Sequence, residues 1–199
     1  MDNQVFETIR TRRSTRSYKK EVPDKVQLDM VLEAGRYAPS GGNSQSARFF
    51  CITNTIVLDD LAEIVLKSFA EMEETPGMYR SKVSSIRRAK TGNYRYDYHA
   101  PVLVVAVNDR DYGNSMADCS CALENMMIMA NALDLGTCWI NQLHWLTEDE
   151  ALLKYLKTLG LKDNERVFAS LAVGYPETES GLPVREPLPR TGNAIVNID

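Results

Sequence analysis

Two short segments near the start of the chain carry residues whose type and spacing suit chemistry. Arg12-Arg13-Ser14-Thr15-Arg16 places three guanidinium groups and two hydroxyls within five residues. Guanidinium groups so spaced can hold a phosphate through bidentate, charge-assisted hydrogen bonds. Ala38-Pro39-Ser40-Gly41-Gly42-Asn43-Ser44-Gln45 adds a glycine-rich turn with unblocked backbone N–H groups and two side-chain amides. Such a turn lets a polar ring or a phosphate approach the backbone closely. Each segment alone has an ordinary explanation, because arginines at a helix end offset its dipole and Pro-Ser-Gly-Gly stops a helix. As a pair they describe a site for an anion attached to something larger.

The rest of the composition narrows what that site serves. With 199 residues, 44% of them hydrophobic, the chain can bury one core, so residues 1–199 are read as a single domain with a lid-like excursion at 74–99. The formal charge of -4 gives no general attraction to polyanions, so nucleic acid is not an expected partner and the arginine cluster is a local feature. The cysteines at 51, 119, 121 and 138 form no C-x-x-C pair, and neither His99 nor His144 stands at zinc spacing. No metal site or disulfide framework is expected, and no Ser/His/Asp set can be assembled. Nothing resembles a signal-peptide core or a membrane span, which leads us to expect a cytoplasmic protein without membrane contact.

Elements must then position the two segments. Asp2 or Asn3 can cap a first helix that delivers the arginines at its end, and a second helix runs from Pro23 to a stop at Pro39. Residues 48–53 read as a strand, and Leu61, Ile64, Val65 and Met72 mark an amphipathic helix. Residues 74–99 turn polar, with tyrosines among basic residues. The apolar runs at 102–107 and 167–173 have the character of strands covered on both faces. Between them, Ser115 and Asp118 are placed as a capping box for a long helix ending at Gly136, and Thr147 with Glu150 as another. The long helix is apolar nearly all round, so either it is a central core helix or a second copy of the chain covers it. A last extended segment falls at 194–198, and no G-x-G-x-x-G follows any strand.

These motifs resemble those of the FMN-dependent nitroreductase family. There an Arg-(Arg/His)-Ser-x-(Arg/Lys) segment and an Ala-Pro-Ser-x-x-Asn-x-Gln segment both line the flavin site. Asp118-Cys119-Ser120, Asn125-Met126, Leu135-Gly136-Thr137-Cys138-Trp139-Ile140, Gly174-Tyr175-Pro176 and Leu188-Pro189-Arg190 extend the likeness over residues 9–198.

The resemblance implies an α+β, three-layer fold, with a mixed, mainly antiparallel sheet between helices, that dimerises with FMN at the subunit interface. Carried across by position, Arg12, Arg13, Ser14 and Arg190 hold the phosphate and ribityl end, with Arg185 a competitor for the phosphate. Arg16 lies near the pyrimidine edge, where a cation stabilises reduced flavin. Pro39, Ser40, Gly41, Asn43 and Gln45 approach from the other subunit. Cys138, Trp139 and Ile140 run beside the central ring, where a backbone N–H faces N5; no side chain is assigned a catalytic role. The implied activity is hydride transfer from NADH or NADPH through the flavin to a nitroaromatic, quinone, enone or flavin. Reductive dehalogenation, oxidative dehydrogenation and flavin binding without turnover are the alternatives on the same fold. A nucleic-acid or acidic-ligand module built on the arginines is a weaker one.

Overall fold

The apolar run that begins at Val102 is the middle of the molecule. In the computed structural model, which describes residues 3–198, it forms β2 (Val102–Asp109), flanked by β1 (Arg48–Ile52) and β4 (Glu165–Gly174). β3 (Gly136–Ile140) pairs with the far side of β4, so one antiparallel sheet runs β1-β2-β4-β3. Alternation along β2 sends Leu103, Val105 and Val107 into one core, and Val102, Val104 and Ala106 into the other. A register shift at Ala106/Val107 lets β4 follow, with Val167 in the first core and Ala169, Leu171 and Val173 in the second.

Helices cover both faces, giving the expected three layers. α3 (Thr55–Glu71), α4 (Arg80–Lys90), α6 (Gln142–Trp145) and α7 (Glu150–Thr158) lie over the first core, to which they contribute Leu61, Val65, Phe69, Ile86, Leu143 and Leu152. α2 (Lys25–Arg36) and α5 (Ser115–Ala132) lie over the second, with α1 (Gln4–Thr11) against α5. Gly35 is what lets α2 and α5 approach: a Cβ there would stand 2.1 Å from the Met126 methyl and 2.9 Å from its Cγ.

Several local expectations change. Asn3 does cap α1, accepting from the Phe6 N–H at 3.0 Å, while Asp2 lies outside the described residues. α2 starts at Lys25, capped by Asp24, rather than at Pro23. The two capping boxes do not form. Ser115 is already helical and donates to the Asp109 carbonyl at 2.6 Å, and Asp149 caps α7 while Thr147 binds the Val167 backbone. α5 ends at Ala132, and Gly136 instead opens β3. The 74–99 stretch contains α4, and it ends with Tyr94, Tyr96 and Asp97 buried. Residues 194–198 form no strand in this chain, and Ile195 is 87% exposed. The sheet itself is wholly antiparallel among the described residues; its one parallel pairing is an isolated bridge from Ser14 to Thr137.

Candidate functional site

The arginine segment is laid along the free edge of β3. After Arg12 turns extended at the end of α1, the Thr15 N–H donates to the Thr137 carbonyl at 2.8 Å, and the Lys19 N–H donates to the Tyr175 carbonyl at 2.9 Å. The Tyr18 hydroxyl donates back to the Thr15 carbonyl at 2.7 Å. This contact also explains Gly136, since a Cβ there would meet the Thr15 side chain at 2.6 Å. Sequence and sheet edge are therefore locked together by backbone bonds, and Ser14 is set opposite Thr137.

Around that edge the charges are incompletely neutralised. Arg12 reaches Glu124 of α5 only at 3.6 Å, and half-buried Arg13 has no carboxylate partner among the described residues. Arg16 lies 6.0 Å from the Tyr98 ring centroid, an arrangement that favours a cation over an aromatic face. Cys138 is buried beside them. Burial pushes its thiol up, against a smaller opposing pull from Arg16, the Ser14 hydroxyl and Arg12, so it stays protonated at neutral pH and is no nucleophile. Strand alternation supplies one more group. Because the Thr137 carbonyl points outward, the Trp139 N–H two residues on faces the same outer edge, and no side chain or loop carbonyl among the described residues accepts it. The Trp139 indole is turned aside by donating to Asn141 at 2.7 Å.

The glycine-rich loop is built elsewhere. Asp118, buried in the first turns of α5, accepts from the Gly41 N–H at 3.1 Å and from the Ser44 hydroxyl at 3.4 Å, while the Tyr112 hydroxyl donates to the Gly41 carbonyl at 2.9 Å. Gly41 has no room for a side chain, because a Cβ would sit 2.1 Å from the Asn114 amide. Gly42, Asn43 and Gln45 take positive φ of 58°, 55° and 49°. Left-handed backbone at two non-glycine residues is strain that a functional loop can retain. The loop holds Ser40 half-buried and leaves Pro39, Asn43 and Gln45 exposed, over a cavity of about 120 Å³ bounded by Asp118 and Ala122.

The structure thus gathers Arg12, Arg13, Ser14, Arg16, Cys138, Trp139 and Ile140 at one edge of the sheet. It does not bring Pro39, Ser40, Gly41, Asn43 or Gln45 to them. That loop leads into β1 at the opposite edge, three strand spacings or about 14 Å away. Arg190 lies exposed in the tail, with no partner among the described residues. Arg185 is committed to α5, donating to the Asn131 carbonyl and to Asp134 at 2.6 Å. It closes the C-terminal end of that helix, as a cation there should.

Sequence reasoning missed Glu124, Tyr98, Tyr112 and the anchoring role of Asp118. The last has a visible signal in an acidic residue near a helix start, but its partner, Gly41, lies 77 positions away. Chemically, the β3 edge offers cations of which only Arg12 meets a carboxylate, at 3.6 Å, and a free N–H beside apolar strand, with no metal-ligating cluster among the described residues. It suits a planar, partly apolar ring carrying an anionic arm.

Comparison with known proteins identifies the family and the fold. Residues 9–175 match the family model described as the nitroreductase family. A nitroreductase of Bacteroides fragilis, solved with bound FMN, shares 33% identity at a TM-score of 0.87, over 99% of this chain and 100% of that one. A protein of Archaeoglobus fulgidus with the provisional name NADH dehydrogenase/NAD(P)H nitroreductase is 25% identical over 88% of this chain and 87% of its own length. The nitrobenzene nitroreductase of Ectopseudomonas oleovorans is 25% identical over 87% of each.

Proposed function

The chain belongs to the nitroreductase family, and on that premise we propose that it is an FMN-dependent NAD(P)H oxidoreductase that works as a homodimer. Its acceptors are small molecules of the nitroaromatic, quinone, enone or flavin class. The observation that carries the reading is the division of the site between the two edges of one sheet. A second copy can set the loop of residues 38–45 against the β3 edge of the first, which the loop does not reach in its own chain.

The residues present fit FMN. Arg12 and Arg13 are under-neutralised cations beside Ser14, suited to a terminal phosphate, and Arg190 is free to join them from the tail. The outward Trp139 N–H is a donor toward the ring, and Arg16 puts positive charge near the polar end. Bound FMN supplies hydride chemistry that none of these side chains could perform. The protein's part is to hold the ring against β3, to favour negative charge on it through Arg16, and to keep the Cys138 thiol protonated. The exposed apolar groove lined by Val5, Thr8, Ala34, Tyr37, Ile128 and Met129, about 490 Å³, supports dimerisation over α1, α2 and α5.

The test is spectroscopic. Purified protein should carry a yellow chromophore that chromatography identifies as FMN, and NADH or NADPH should bleach it without oxygen. After removal of nicotinamide, a quinone or nitroaromatic alone should restore the oxidised spectrum. A protein left colourless by incubation with FMN, or one coloured but never bleached, overturns the proposal.

A further inference from the structure

Beyond the β3 edge the fold builds a second cationic hollow. One cavity of about 350 Å³ is lined by Arg16, Arg88, Asn93, Arg95, Tyr98 and His99 among others. An adjoining one of about 190 Å³ shares Arg88, Arg95 and Tyr98 and adds the hydroxyls of Ser81, Ser84 and Ser85. The three arginines are not equivalent. Arg95 is spent, because it donates to Asp97 at 2.7 and 3.1 Å and to Asp59 at 2.6 Å. Arg88 rests over the Tyr94 ring at 5.2 Å and Arg16 over the Tyr98 ring at 6.0 Å, and neither is paired with a carboxylate among the described residues. Among the described residues the one acidic residue lining these cavities is Glu177, which accepts from the Ser17 hydroxyl at 3.0 Å. Aromatic faces orient the two guanidiniums, and no carboxylate takes up their donors among the described residues.

We infer that this hollow is a recognition pocket for an anionic group, phosphate or carboxylate, carried by the redox substrate, with Arg88 and Arg16 as its two cations. Arg16 belongs to both regions and so links the pocket to the proposed flavin site, whereas Arg88 belongs to the pocket alone. The pocket therefore deepens the functional reading above and rests on it. Two sources present the same chemistry: the 2′-phosphate of NADPH, and an acidic substituent on the electron acceptor.

The experiment uses the FMN-loaded dimer and matched pairs of ligands: NADP⁺ against NAD⁺, and 4-nitrobenzoate against nitrobenzene. Calorimetry should show the member with the extra anionic group, NADP⁺ or 4-nitrobenzoate, binding tenfold or more tighter in at least one pair. Arg88→Ala should erase that preference and raise KM for the member with the extra anionic group (NADPH or 4-nitrobenzoate) while leaving it unchanged for NADH or nitrobenzene. Arg88→Lys should restore much of it. A preference confined to the nicotinamide pair assigns the pocket to the donor, and one confined to the aromatic pair assigns it to the acceptor. Equal binding within both pairs overturns the inference, as does loss of FMN from Arg88→Ala, which would make the hollow part of the cofactor site. Failure of the flavin reading is separately visible as a protein that holds no FMN.

Discussion

Arg13 and Arg190 are the two cations of the proposed phosphate clamp that no carboxylate engages among the described residues. Neither side chain makes a hydrogen bond or an ion pair among the described residues. Arg13→Ala and Arg190→Ala should therefore weaken FMN binding by about 1.5–3 kcal/mol each, tenfold to a hundredfold or more, with an unchanged melting curve for the apoprotein. Fluorescence titration of FMN measures the first quantity and circular dichroism the second; full affinity in both variants would place the phosphate elsewhere. Arg12 gives a less clean test, because removing it also releases Glu124. Cys138 makes the opposite case. Its thiol is held protonated by burial, so Cys138→Ala should change the rate of flavin reduction by NAD(P)H only a few-fold, as stopped-flow absorbance would read.

At the scale of elements, α5 decides how the chain is covered. The sequence reading found the helix too apolar for water, and the structure divides that surplus in two. Met126 and Met127 are buried in their own chain, so charging either would unfold the protomer rather than test an interface. Ile128 and Met129 line the open groove. Ile128→Asp should yield a folded monomer by sedimentation with FMN binding lost; a flavin-bearing dimer would refute the assembly we propose. Gly35 tests the α2 contact separately. Gly35→Ala drives a methyl into Met126 and should cost about 1–3 kcal/mol in denaturant unfolding. The strands β2 and β4 were legible because continuous apolar runs have one good solution, a strand covered on both faces. The helix starts were less so. Serine, threonine and aspartate serve caps and tertiary contacts equally well, and Ser115, Thr147 and Asp118 are spent on the latter. The cations of the proposed clamp are visible as residue types, but the free N–H of Trp139 is a property of strand order that no residue type encodes.

For the whole molecule, the tail is the part whose composition and surroundings disagree. Residues 186–198 leave the body of the chain without secondary structure, yet they carry Leu188, Ile195, Val196 and Ile198 at exposures of 55, 87, 80 and 93%. Apolar and β-branched side chains so displayed suit an extended strand on another surface, which is how the sequence reads at 194–198. β1 is an unpaired sheet edge, with Phe49, Phe50 and Cys51 beside a shallow cavity of about 390 Å³. Within a homodimer the tail of one protomer has the composition to cover such an edge on the other, carrying Arg190 across with it. Deleting residues 186–199 should then leave the protomer's secondary structure intact, since Arg185, among the described residues the last of the tail hydrogen-bonded to the body, is retained. The deletion should shift the sedimentation profile toward monomer and reduce FMN affinity by more than Arg190→Ala alone does. A truncated chain that remains dimeric and binds FMN with the affinity of Arg190→Ala would mean that the tail contributes only its arginine.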